Sequence, residues 1–218
     1  MVKLLPEGGL IQNLIEQGYL KTPRIIEAFK SVKRVDFLPG YLQEGNTNLE
    51  SLADLNEALP IGHGQTISQP AVVAFMLELL QAGAGHNVLD IGSGSGWTSA
   101  LLADLVGEKG HVTAIERIGE LCEFGKRNLE KYLSINKIIQ PVCGDGSAGF
   151  RDNAPYDRIL ASAAAGQLPP QWLEQLKPGG ILVAPVGTAI KKITKDISGN
   201  ISAQEFEGFV FVPLVQNF

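Results

Sequence analysis

The stretch from Val88 to Gly96 reads V-L-D-I-G-S-G-S-G. Its apolar opening, Val88, Leu89 and Ile91, has the composition of a buried parallel strand, and it runs directly into three glycines at alternate positions. After Trp97, the segment T-S-A-L-L-A-D-L-V places Ala100, Leu101, Leu102 and Leu105 on one apolar face of a helix. The unit is therefore strand, glycine turn, helix. Such a turn removes side chains where backbone must approach a ligand, and it aims the free N–H groups of a helix start at that ligand.

Two ligand classes use this unit. The dinucleotide fingerprint is G-x-G-x-x-G with an acid about twenty residues later. Here Gly92, Gly94 and Gly96 are followed by Trp97 where that motif wants glycine. Asp90, directly before the turn, would face a pyrophosphate unfavourably but could hold a cationic amino-acid moiety or its bound water. D-x-G-x-G-x-G resembles the S-adenosylmethionine loop of class I methyltransferases. A glycine turn serving close packing alone is the plainer alternative.

Downstream, H-V-T-A-I-E (111–116) reads as a second strand ending in an acid, and Glu116 lies 24 residues beyond Gly92, placed to accept hydrogen bonds from ribose hydroxyls. A helix with Leu121, Phe124, Leu129 and Leu133 inward leads to a third strand, Ile138 to Cys143, closed by Gly144-Asp145-Gly146. There an acid between glycines could meet the amino group of a flat ring, although Asp-Gly is also an ordinary turn. A-P-Y-D-R-I-L-A-S-A-A-A (154–165) is a fourth strand entering a small-residue loop with room for a substrate backbone. A helix with Trp172, Leu173 and Leu176 precedes a fifth strand in L-K-P-G-G-I-L-V-A-P-V-G. Strands alternating with helices predict a doubly wound, mostly parallel α/β sheet, Rossmann-like in class. Beyond Lys191, I-T-K-D-I and I-S-A-Q-E-F flank Ser198-Gly199-Asn200 as a hairpin, and F-V-F-V-P-L (209–214) reads as a closing strand, so the C-terminal part is expected to be antiparallel.

Upstream, Leu10, Ile11, Leu14 and Ile15 predict a first helix. Thr22 as N-cap and Pro23 at the first helical position predict a second. The polar E-G-N-T-N-L-E-S (44–51) reads as an exposed loop. These features divide the chain into a helical N-terminal extension over residues 1–59, acting as a substrate cover, a methyltransferase core over 60–188 and an antiparallel hairpin with an edge strand over 189–218. At the start of the core, A-L-P-I-G-H-G-Q-T-I-S-Q-P (58–70) leads into a helix that begins at Pro70. Thr66 and Ser68 stand just before it. Ser68 can cap that helix, or its hydroxyl can face the glycine loop and contact a substrate anion.

Composition bounds the rest. The chain has 218 residues, 44% of them apolar, which suits one α/β domain with an appendage. A net charge of −5 without runs of like charge argues against nucleic acid or an anionic membrane surface as partner. M-V-K-L-L-P-E-G-G lacks the apolar core of a signal peptide, so a cytoplasmic location is expected. Cys122 and Cys143 form no C-x-x-C pair and read as small core residues, and no His, Cys, Asp and Glu spacing suits a metal.

With those residues in hand, the chain resembles the protein-L-isoaspartate O-methyltransferase family from about Leu10 to Leu214. The motifs that carry the resemblance are L-P-I-G-H-G-Q-T-I-S-Q-P, L-D-I-G-S-G-S-G-W-T, A-I-E-R, G-D-G, A-P-Y-D-R-I, L-K-P-G-G and F-V-P-L. The resemblance implies methyl transfer from S-adenosylmethionine to the free α-carboxylate of an isoaspartyl residue in a damaged peptide or protein, by a monomer. It implies Ser68 as the active-site serine and Gln65, Thr66, Ile67, Asp90, Gly92, Ser93, Gly94, Ser95, Gly96, Glu116, Asp145 and Gly146 at the cofactor. For the substrate it implies Thr66, Ser68, Ala163, Ala164 and Leu214. A-S-A-A-A replaces the T-A-A-A type of stretch after the fourth strand, and the sequence stops four residues past Leu214, short of a longer tail found in some relatives. A same-fold enzyme esterifying another peptide carboxylate, a nicotinamide oxidoreductase and a non-catalytic cofactor-binding module are the alternatives.

Overall fold

The computed structural model describes residues 9–43 and 48–214. The chain opens with helices α1 (Gly9–Glu16), α2 (Pro23–Ser31) and α3 (Leu49–Ala53), followed by a small antiparallel hairpin, β1 (Leu59–Gly62) and β2 (Gln65–Ile67). Helix α4 (Pro70–Leu80) leads to the main alternation of β3 (Asn87–Ile91), α5 (Trp97–Val106), β4 (His111–Glu116), α6 (Gly119–Leu129), α7 (Leu133–Asn136) and β5 (Ile139–Cys143). Then come β6 (Tyr156–Ala161), α8 (Pro170–Gln175), β7 (Leu176–Val186), β8 (Ala189–Lys195) and β9 (Ile201–Glu207).

The seven long strands form one sheet in the order β5-β4-β3-β6-β7-β8-β9. The first five are parallel, and β8 and β9 are antiparallel additions at one edge. The order reverses at β3, with β4 on one side and β6 on the other, so a crevice opens beyond the carboxyl end of β3. Open α/β sheets bind ligands at that position. Val88 and Leu89 of β3 are fully buried, and α5 behind the glycine loop is buried almost throughout, covered by the sheet on one side and by α2 on the other. Phe29 of α2 meets the Trp97 ring edge-on, with centroids 5.6 Å apart.

Several local expectations change in three dimensions. Thr22 precedes α2 but its hydroxyl does not cap that helix: it donates to Glu78 of α4 at 2.7 Å, and the N–H groups of Lys21 and Thr22 donate to the other oxygen of the same carboxylate at 2.8 Å. A carboxylate on a neighbouring helix satisfies this helix start and ties α2 to α4. Part of the polar stretch 44–51 is helical, because Asn48 accepts from the N–H of Glu50 and starts α3, while residues 44–47 lie outside the described residues. Leu133, expected on the inner face of a long helix, lies beyond the end of α6 and is exposed. Leu176 opens β7 rather than continuing a helix. The segment 209–214 is not a strand: apart from a parallel bridge between Ala164 and Pro213 it is irregular. Pro213 and the break at Gly208 deny it a regular ladder. Among the described residues no helix is long and apolar enough to cross a membrane.

The cysteines are the plainest correction. Cys122 on α6 and Cys143 at the end of β5 form a disulfide, with Cα atoms 5.6 Å apart. The crossover folds α6 back along β5, so residues 21 apart in sequence become neighbours without any local spacing signal. Closing a loop of that size stabilises a chain by about 3 kcal/mol in the chain-entropy account. Cys143→Ser is therefore expected to lower the melting temperature of the protein by several degrees, about 2–4 °C per kcal/mol at this size. A dithiol reductant should lower the wild type to the same value and leave the variant unmoved, both read by scanning calorimetry.

Candidate functional site

A cavity of about 380 Å3 occupies the crevice at the end of β3. Its floor and one wall are Ile91, Gly92, Ser93, Gly94 and Ser95, with Glu116 and Ile118 beyond the end of β4 and Gly144, Asp145 and Gly146 after β5. The facing wall is Gln65 to Gln69, and the remaining side is Ser162, Ala163 and the irregular segment Val210 to Leu214. Pockets of about 300–1,000 Å3 suit a small organic ligand.

The glycine loop is shaped by the end of β4. The N–H groups of Gly92 and Ser93 both donate to the carbonyl of Ile115, at 2.8 and 3.0 Å, and that of Gly96 donates to Ser93 O at 2.8 Å. The N–H of Gly94 donates to Glu116 Oε2 at 2.8 Å, while Glu116 Oε1 accepts from the N–H of Ile118 at 2.9 Å. The expected cradle of free loop N–H groups is thus largely turned inward. A loop most of whose donors already serve the protein is a poor pyrophosphate site. Glu116 keeps lone pairs for further donors, and its rotamer is fixed by the two backbone bonds before any ligand arrives.

Backbone conformation accounts for the loop glycines, and close packing adds to it at Gly96. All three loop glycines have positive φ, at +78°, +53° and +88°. Gly96 does not line the cavity: a Cβ there would lie 3.2 Å from the carbonyl oxygen of Gly125 and from Leu129. A Cβ on Gly125 itself would meet Gly94 O at 2.9 Å. Gly125 of α6 is a site-building residue that sequence reading missed, since a lone glycine inside a helix carries no ligand signal; its only mark was its low helix propensity. A Cβ on Gly146 would meet Ile91 Cγ2 at 2.6 Å, which explains the second glycine of G-D-G by contact with β3. Asp145 lines the cavity and also accepts from the N–H of Ser147 at 2.9 Å, opening a short 3-10 turn.

Asp90 sits behind the loop rather than in the cavity. It is fully buried, Ser99 donates to its Oδ2 at 2.6 Å, and its Oδ1 has no partner. Burial raises its pKa to about 7, against the Ser99 hydrogen bond and helped by the nearby charge of Glu116. Ala164 is likewise set back: its N–H donates to Val212 O and its carbonyl accepts from the N–H of Leu214, so it anchors the C-terminal segment while Ala163 and Leu214 line the cavity.

Ser68 lines the cavity and does not cap α4. That helix begins after Gln69, and the N–H of Ala71 donates to Asn56 Oδ1 at 2.9 Å. Among the described residues no hydrogen bond engages the Ser68 hydroxyl. Thr66 and Ile67 stand beside it on β2, and Ile61 of β1 packs towards Gly94, bringing the hairpin onto the glycine loop. Trp97, Thr98, Ile118 and Val210 to Pro213 also line the cavity and were not among the expected site residues, although W-T and F-V-P stand in the motifs quoted above. His63 lies outside the cavity lining in the turn between β1 and β2, with φ +53°.

A crevice at the switch point and a glycine loop most of whose N–H groups are held by the acidic end of β4 fit a methyltransferase-type α/β fold better than a dinucleotide-binding one. Comparison with known proteins narrows this. Residues 7–218 match the family described as protein-L-isoaspartate(D-aspartate) O-methyltransferase. A protein-L-isoaspartate O-methyltransferase of Methanopyrus kandleri is 41% identical over 94% of this chain and 89% of its own, and one of Thermococcus onnurineus is 42% identical over 94% and 91%. A solved protein-L-isoaspartate O-methyltransferase superposes with a TM-score of 0.82 at 28% identity, over 95% of this chain and 65% of its own. A Plasmodium falciparum protein solved with S-adenosyl-L-homocysteine shares the fold, with a TM-score of 0.83 at 23% identity over 95% and 97%. The chain belongs to the protein-L-isoaspartate(D-aspartate) O-methyltransferase family.

The buried acid gives this site a pH signature. A carboxyl group whose folded pKa is raised to about 7 favours the native state fully below its unfolded value near 3.8 and progressively less as pH rises through 7. Thermal melts between pH 4 and 8 should therefore show a flatter decline with rising pH for Asp90→Asn than for the wild type. Parallel profiles would mean that Asp90 titrates as an ordinary carboxylate.

Proposed function

We propose that this protein transfers a methyl group from S-adenosylmethionine to the free α-carboxylate of an L-isoaspartyl residue in a damaged peptide or protein. The observation that carries the reading is the meeting, in one cavity, of the glycine loop and Glu116 on one wall with the unengaged Ser68 hydroxyl on the other. The family relationship supplies the class of reaction.

The residues present suit the cofactor. Glu116 at the end of β4 would accept from its hydroxyl donors, Asp145 after β5 would take its ring amino group, and Gly92 to Ser95 would lie beneath it, all of them lining the cavity. When bound, S-adenosylmethionine supplies a methyl group already activated by its sulfonium. The substrate carboxylate is already ionised at neutral pH, so the site has no proton to remove. Its tasks are alignment and exclusion of water. In this reading Ser68 donates to one carboxylate oxygen and leaves the other to react. Thr66, Ala163 and Leu214 bound the peptide, while among the described residues none of α1, α2 or α3, expected as a substrate cover, lines the cavity. Ala164 acts one step back, by holding Leu214 in place.

An isoaspartyl residue carries its free carboxylate directly on the α-carbon beside the main chain, whereas an aspartyl residue carries it one methylene further out. A misplacement of about 1 Å costs on the order of a hundredfold in rate. Labelled S-adenosylmethionine should methylate an isoaspartyl peptide and leave its aspartyl twin essentially unlabelled. Equal labelling of the two would instead indicate an enzyme for another carboxylate, and labelling of neither despite bound cofactor a non-catalytic module. Ser68→Ala should reduce kcat/KM for the isoaspartyl peptide about ten- to a hundredfold, the loss of a hydrogen bond to a charged group. The melting-temperature rise given by S-adenosylhomocysteine should change little in that variant.

A further inference from the structure

Arg34 is 5% exposed, a rare state for a guanidinium, and it lies in a short 3-10 turn between α2 and α3. Its Nη1 donates to the carbonyls of Ala53 and Leu55 at 3.1 and 2.9 Å, and its Nη2 to those of Glu57 and Ser68 at 2.7 and 3.2 Å. Burial lowers its pKa to about 10, opposed by Asp54, so the group remains charged at neutral pH. The same guanidinium lies 5.4 Å from the centroid of Trp97, the first residue of α5 and part of the cavity wall. One buried cation thus touches the substrate side of the cavity through Ser68 and the cofactor side through Trp97.

Ser68 needs such a support. The pairing of β1 with β2 ends at Ile67, and α4 begins only at Pro70. Ser68 therefore belongs to neither ladder nor helix. Gln69 beside it is tied back to the 53–57 turn, its Nε2 donating to Asn56 O at 3.0 Å. That turn is itself gathered by three of the four Arg34 hydrogen bonds. We infer that Arg34 is a positioning residue for the reaction, fixing the main chain of Ser68 so that its hydroxyl meets the substrate carboxylate, with its positive charge behind that anion. The inference rests on the reading of Ser68 given above. A planar fork of five donors can span four carbonyls from separate segments, and a lysine ammonium cannot.

The test is a double-mutant cycle of Arg34→Lys and Ser68→Ala, with kcat and KM for an isoaspartyl peptide measured at saturating S-adenosylmethionine. Folding and cofactor binding are followed by the melting-temperature shift with S-adenosylhomocysteine. Arg34→Lys should lower kcat/KM by about tenfold in the Ser68 protein and by less than about threefold in the Ser68→Ala protein, because residues acting through one another are non-additive. A role in stability alone would lower the melting temperature and multiply both rates by the same factor. That outcome, or full activity of Arg34→Lys, overturns the inference while leaving Ser68 in place. An unchanged rate for Ser68→Ala removes the Ser68 reading and this inference with it. Where Arg34→Lys does not fold, Arg34→Gln carries the same cycle, and failure of both to fold overturns the inference in favour of a purely architectural arginine.

Discussion

The site depends on how the chain reverses between β3 and α5. The loop Gly92 to Gly96 is clamped from one side by Ile115 O and Glu116 at the end of β4, and from the other by Gly125 of α6, which leaves no room for a Cβ. The contacts from β4 satisfy loop N–H groups that would otherwise lack partners, and the contact from α6 is close packing. The cost is that the loop has few donors left for a ligand. The gain is a rigid floor whose shape and acidic wall exist before anything binds, so ligand ordering entropy is not added to loop ordering entropy.

From that floor the elements around it acquire their roles. The parallel register of β3 with β4, Asp90 opposite Ala114 and Ile91 opposite Ile115, brings the loop and Glu116 to the same level of the sheet. The pairing of β4 with β5 sets Glu116 opposite Cys143, and the N–H of Gly144 donates to Glu116 O at 2.9 Å, which carries Asp145 and Gly146 to the cavity. The disulfide joins α6 to this strand end, so one covalent tie holds both the helix that backs the glycine loop and the strand that delivers the second acid. On the far side Trp172 donates to Gly146 O at 3.0 Å and closes the arrangement from α8.

Much of this was legible in the sequence, and for identifiable reasons. V-L-D-I-G-S-G-S-G, the acid at 116 and G-D-G are local patterns, each a strand running into the residues beyond its end, and local patterns survive without three-dimensional information. The hairpin 191–206 was legible because Ser198-Gly199-Asn200 is turn chemistry between alternating segments; its turn is closed by Asp196, whose Oδ1 accepts from the N–H groups of Ser198 and Asn200. What was not legible depends on contacts between distant segments. Cys122 and Cys143 meet because a crossover returns, Thr22 turns to Glu78 rather than to its own helix, and Asp90 faces Ser99 across a buried interval. The apolar run 209–214 misled because a continuous apolar composition also describes an irregular segment that lines a cavity. Val210 is exposed, whereas Leu214 is held by Ala164.

The placement of charge follows a single constraint. A substrate anion and a sulfonium cation have to approach each other in a cavity that excludes water, and there unpaired charges interact over longer distances than in solvent. The acids beside the glycine loop are each tied by backbone or hydroxyl donors, Glu116 by Gly94 and Ile118 and Asp90 by Ser99, which limits their repulsion of an incoming carboxylate. Burial leaves Asp90 only partly ionised near neutrality, lowering that repulsion further. Against them stands Arg34, hydrogen-bonded to four neutral carbonyls, one of them that of Ser68, and set beside Trp97, with Asp54 the acid whose charge acts on it. Neutral carbonyls are a weaker counterpart than a carboxylate would be. A carboxylate hydrogen-bonded to Arg34 would cancel more of that charge than Asp54 does, whose charge acts on the guanidinium without displacing any of the four carbonyls.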